Sequence, residues 1–116
     1  MIIITSKEMK EIMEQEVEYL KDLIYSRVEK KINERLGERI FGTGNSAVDE
    51  LLLFGKIKID YSTIIEEIRI DYGFESNSEI WKILVERTEK TLIENLAESG
   101  WRLDRDHLVP LEEKKE

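Results

Sequence analysis

The chain reads as an α+β domain, two main helices packed on one face of a small antiparallel sheet. Three observations predict this. The phrase Ile57-Lys58-Ile59-Asp60-Tyr61 returns as Ile68-Arg69-Ile70-Asp71-Tyr72, and its alternation of apolar and polar residues is the period of a strand with one buried face. Residues 6–36 and 79–99 carry apolar residues at the 3.6-residue period of amphipathic helices. Between these segments lie breaks such as Gly37, Glu75-Ser76-Asn77-Ser78 and Gly100, where glycine and N-capping residues punctuate the chain.

Taken in order, Ile2 to Ile4 form a short edge strand or an apolar lead-in. Thr5 stands three residues before Glu8, the spacing of a capping box. Met9, Ile12, Met13, Val17, Leu20, Leu23 and Ile24 then fall on one helical stripe, and Gly37 is the natural stop. A helix over 6–36 spans roughly 46 Å, against a diameter of about 35 Å for a compact domain of this length. Its stripe also drifts. Val28, Ile32 and Leu36 step four residues apart, while Arg27, Lys31 and Arg35 take over the original face. Either the helix breaks near Tyr25-Ser26, or its second half overhangs and meets a second copy, with Val28, Ile32 and Leu36 as a homodimer interface.

Residues 38–46 are a connector. For 47–54, a short helix capped by Ser46 competes with a strand that starts at Leu51 and bulges at Gly55; the strand reading makes the alternation continuous. A hairpin over about 51–61 and 68–74 follows. Opposing Ile59 to Ile70 sets Asp60 against Arg69 and Lys58 against Asp71, and a two-residue slip either way brings like charges together. This register leaves 62–67 as the loop, with Ile64 and Ile65 near its tip. Ser78 caps the second helix, whose inward stripe is Trp81, Leu84, Val85, Thr88, Leu92 and Leu96. Residues 101–103 and 107–111 form a short strand or second hairpin about Asp104-Arg105-Asp106. The single domain covers 1–111, and 112–116 is a charged tail.

Composition narrows the function classes. The 116 residues suffice for one domain. The formal charge of −8 and the pI near 4.8 argue against a protein that neutralises a phosphate backbone directly, and favour a basic protein partner. With no cysteine, disulfides and thiolate metal sites are excluded and a reducing compartment, the cytoplasm, is expected. No apolar run approaches the roughly 20 residues of a membrane span, and Met1 to Ile4 is too short for a signal peptide.

Possible chemistry is sparse. Gly42-Thr43-Gly44-Asn45-Ser46-Ala47 has the loose form of a dinucleotide-binding turn, but such a turn needs a parallel sheet around it; a flexible glycine loop is the simpler reading. Asp104-Arg105-Asp106-His107 brings two carboxylates to the only histidine, a hard-cation or general-base grouping, though Asp and Arg also populate ordinary turns. Glu11, Glu14, Glu18 and Asp22 lie three or four residues apart, one carboxylate row that can enter a basic cleft. Arg27, Lys31 and Arg35 make the opposite row, suited to salt bridges.

The reading is therefore a small acidic, non-enzymatic interaction module, an inhibitor or immunity-type regulator of a basic, nucleic-acid-handling protein, without cofactor or metal. Its partner contacts are placed at Glu11, Glu14, Glu18, Asp22, Ile64 and Ile65. Two alternatives stand beside it: a homo-oligomeric assembly subunit built on the long first helix, and a small metal- or nucleotide-dependent enzyme.

Overall fold

A computed structural model describes residues 3–41 and 47–111. Four helices, α1 (Ser6–Phe41), α2 (Ala47–Phe54), α3 (Tyr61–Tyr72) and α4 (Glu79–Glu98), accompany three strands, β1 (Ile57–Lys58), β2 (Trp101–Asp104) and β3 (His107–Pro110). The sheet is antiparallel in the order β1-β3-β2. The α+β class, the antiparallel sheet and the C-terminal hairpin are as the sequence predicts. Several elements inside that frame differ.

Thr5 opens α1, its Oγ1 accepting the Glu8 N–H at 3.1 Å. The helix neither breaks near Tyr25-Ser26 nor stops at Gly37, and its 36 residues extend about 54 Å. Gly37 is absent from the residues of positive φ, so it stays in the helix at a cost of about 1 kcal/mol relative to alanine. Residues 3–16 are exposed throughout. Burial begins at Val17 and deepens at Ile24, Val28 and Ile32, which are 0, 0 and 4% exposed. The four-residue steps therefore follow the core. Residues four apart shift about 40° round a helix, so α1 turns its buried face as it crosses the body. This corrects the expected dimer interface: Val28 and Ile32 belong to the core of their own chain, and Leu36 packs against that core.

The central hairpin is also corrected. Its second half is helix α3, and its expected loop, 62–67, is helix interior. Tyr61, Ile64 and Ile68 are buried at helical spacing, while Ile70 is 62% exposed. In a strand Ile68 and Ile70 would share a face; in a helix they lie 200° apart. Gly73, at φ 75°, ends α3 by donating to Arg69 and Ile70 carbonyls, an αL termination that glycine adopts without a Cβ penalty. Residues 47–54 are likewise helix rather than strand, closed by the Gly55 N–H on the Leu51 carbonyl at 2.9 Å. What remains of the first phrase, Ile57 and Lys58, pairs with Leu108 and His107.

The charges expected to pair across that hairpin find other partners. Asp60 accepts from Arg35 at 3.0 Å, Asp71 from Arg27, and Glu66 from Arg69 one turn away. Arg27 also lies over the Tyr72 ring, 5.4 Å from its centroid. The basic row of α1 thus ties α1 to α3 and to Asp60 at its start.

Ser78 caps α4, its Oγ accepting the Trp81 N–H at 3.3 Å. Helices α3 and α4 run antiparallel. Phe74 stacks on Trp81 with centroids 5.4 Å apart at one end, and Tyr61 and Glu89 share a cleft at the other. Alongside, α1 runs parallel to α4, through Glu14 to Arg87, Lys21 to Thr91 and Tyr25 to Asn95. One face of the α3–α4 pair is thereby covered by α1. The core joins Ile24, Val28 and Ile32 to Ile64, Ile68, Leu84 and Leu92, with Ile59 and Leu108 supplied from the sheet end.

Candidate functional site

The face of α4 that turns from α1 toward α3 is concave and open. Trp81, Leu84, Thr88 and Leu92 are the buried row of α4. The row beside it, Val85, Glu89 and Ile93, lies four residues apart and so rises as a strip up the helix. Val85 and Glu89 are half-buried, and Ile93 is 47% exposed. On α3, Ile65 stands next to the buried Ile64 and forms the opposing wall. Together these residues bound an open groove of about 720 Å³, within the range of ordinary ligand sites.

Charge flanks this apolar strip unevenly. Glu86, Glu89 and Glu94 line it with Lys82 and Lys90. Lys82 is already turned to Glu79 at 3.6 Å. Glu86, Glu94 and, four residues from each, Lys90 have no hydrogen bond or salt bridge to any described residue, so the lining beside the apolar surface carries two free carboxylates with one free ammonium between them.

The carboxylate row of α1 is in a different condition. Arg87 reaches from α4 to Glu14 at 2.6 and 3.1 Å and to Glu18 at 2.9 Å. The guanidinium hydrogen bond holds the Glu14 carboxyl below the usual range, opposed by desolvation. Lys21 contacts Asp22 at 2.9 Å and Glu18 at 3.5 Å, and its own ammonium is raised chiefly by the Asp22 hydrogen bond. Glu11 is exposed. Of the predicted contact residues, then, Glu14 and Glu18 serve the α1–α4 packing through Arg87, and Asp22 pairs with Lys21 on its own helix. Ile64 is core, and Ile65 alone lines the groove.

The Asp104-Arg105-Asp106-His107 stretch is the turn of the C-terminal hairpin, with Arg105 at φ 55°. Asp106 organises the start of α3 from outside. Its Oδ1 accepts the Ser62 N–H at 2.8 Å, and its carbonyl accepts from Ile59 and Asp60 at 2.8 and 3.2 Å. Asp60 precedes α3 in the αL conformation and makes no side-chain cap bond, so Asp106 supplies that acceptor. The Ser62 hydrogen bonds hold the Asp106 carboxyl below its ordinary value. His107 pairs with Asp104 and Lys58 across the ladder. Among the described residues no three His, Asp or Glu side chains group to hold a metal ion. The Gly42-Thr43-Gly44 turn lies outside the described residues.

Among the described residues, two buried oxygens, Tyr61 Oη and Thr88 Oγ1, have no hydrogen-bond partner. Burial, with Glu89 nearby, pushes the Tyr61 phenol well above its usual range.

Sequence reasoning placed Trp81 and Val85 in the inward stripe of α4 but passed over Ile93, Glu86, Glu89 and Glu94. Ile93 lies 120° round the helix from Trp81, outside the core stripe. An isoleucine there is the signal that a second apolar edge exists. Comparison with known protein families, curated proteins and solved structures finds no match for this chain.

Proposed function

We propose that the protein is a small acidic, non-enzymatic interaction module, an inhibitor or immunity-type regulator that binds a basic, nucleic-acid-handling protein in the cytoplasm. The observation that supports it is the open apolar groove whose lining sets Glu86, Glu89 and Glu94 against Lys90 and a bridged Lys82, on a chain of net charge −8. Apolar surface supplies affinity, and unpaired carboxylates favour a cationic partner over an acidic one. The contact surface moves accordingly from the α1 row to the α3–α4 face. Titrating salt into mixtures with candidate basic proteins tests the reading. A complex that weakens as ionic strength rises is expected; complexes indifferent to salt, or none at all, contradict it.

A second reading, self-assembly through α1, rests on a different observation. Met9, Ile12, Tyr19 and Leu23 are exposed at 46, 47, 61 and 38%, and with Glu16 they are spaced 3-4-3-4, as in the seam of a coiled coil. Sedimentation showing a monomer at high concentration would remove it.

A further inference from the structure

The shape of the groove says what form the partner takes. Trp81, Val85, Glu89 and Ile93 rise at four-residue intervals, a strip of roughly 18 Å that winds about 120° round α4. Ile65 faces them from an antiparallel helix. The α3–α4 pair has α1 laid along one face, and the groove runs along another. Such a surface is the site a further helix would take in a bundle. A partner helix carries apolar residues at i, i+3, i+4 and i+7 on one stripe, which matches a strip of this length with about three turns. Glu86, Glu89 and Glu94 bring three carboxylates to the groove against the single ammonium of Lys90, while Lys82 is bridged to Glu79, so the lining keeps an acidic excess. The helix that fits therefore has cationic residues flanking its apolar stripe.

We infer that the α3–α4 groove is a docking site for a basic amphipathic helix of a partner protein, with Ile65, Val85 and Ile93 taking its apolar side chains and Glu86 and Glu94 its cations. This rests on the reading of the chain as an acidic interaction module and names the form of the ligand.

The probe is a fluorescein-labelled amphipathic peptide of leucine and lysine, long enough (about 15 residues) to be helical, with a leucine–glutamate counterpart. Anisotropy titration against the full chain is expected to show binding of the lysine peptide only. Ile93→Glu, at a half-exposed position that leaves the core intact, weakens it at least tenfold, on the order of the loss of one apolar anchor. Glu86→Lys weakens it several-fold at low salt, an effect that vanishes at high salt. Glu11→Gln on α1 leaves it unchanged. Equal binding of both peptides, or lysine-peptide binding indifferent to both Ile93→Glu and Glu86→Lys, overturns the inference. So does a chain that sediments as a dimer and becomes monomeric on Ile93→Glu, because a second copy then fills the groove. If a basic protein binds in a salt-dependent way and these variants bind it as the parent does, the interaction reading stands and the groove falls. If the peptide behaves as expected but no basic protein binds, the groove stands and the interaction reading falls.

Discussion

Truncating Ile68 and Ile70 separately distinguishes a helix from a strand over the second IDY phrase. Ile68 is 1% exposed in the core and Ile70 is 62% exposed on the outer side of α3. Ile68→Ala removes buried methyl and methylene groups and leaves a cavity, at a cost of about 2–5 kcal/mol. Ile70→Ala removes little from contact and, with the high helix propensity of alanine, should fall within about 0.5 kcal/mol of the parent. Against a typical total stability of 5–15 kcal/mol, the first change is large and still measurable. Urea unfolding followed by far-UV circular dichroism reads both. With a slope of about 1–3 kcal/mol per molar urea, Ile68→Ala should lower the midpoint by about 0.7 M or more while Ile70→Ala leaves it nearly fixed. Equal losses at the two positions would place them on one face, as in the hairpin register, and refute the assignment of α3.

Other consequences follow from the same packing. Tyr61→Phe and Thr88→Val each remove a buried oxygen that lacks a partner, so neither should lower stability and each should raise it by up to about 1 kcal/mol, read as a higher unfolding midpoint. Asp106→Ala should cost about 1 kcal/mol, the usual value of a lost helix cap, because its carboxylate accepts the Ser62 N–H. The carboxyl is held below its unfolded value in the folded chain, so its contribution is complete above about pH 4 and is lost as pH falls through the folded value. Stability measured between about pH 5 and 2 should therefore fall less steeply for Asp106→Asn than for the parent. Gly73→Ala, at φ 75°, should destabilise by about 1 kcal/mol through the new Cβ crowding its own backbone, since no neighbouring atom lies within 4 Å of it.

Much of the fold was legible where one period ruled a segment. The helices at 6–36 and 79–99 each carry a helical period, though the first drifts after Ile24, and the structure contains both along with the strands near 101 and 107. The phrase at 68–72 was not so clear, because both periods run through it. Ile68, Ile70 and Tyr72 alternate, yet Tyr61, Ile64, Ile68 and Tyr72 step three and four apart. The longer window decides, and stopping at the five-residue repeat hid it. Local ion pairs misled in the same direction: Asp60 and Arg69 were matched across a hairpin when Arg35 and Glu66 are their actual neighbours. The candidate site was harder still. A groove arises only once α3 and α4 are set side by side, and the hairpin reading puts Ile64 and Ile65 in a loop rather than on a helix. Whether Glu14 or Glu86 is neutralised depends on where Arg87 points, which residue spacing along one helix does not disclose.

The most direct test of the account is a residue-resolved map of amide chemical-shift changes as the leucine–lysine peptide is added. The changes should concentrate at Ile65, Trp81, Val85, Glu86 and Ile93 and leave Glu11, Met13 and Glu14 unmoved. Changes concentrated on the α1 row, with the α3–α4 face silent, would contradict it.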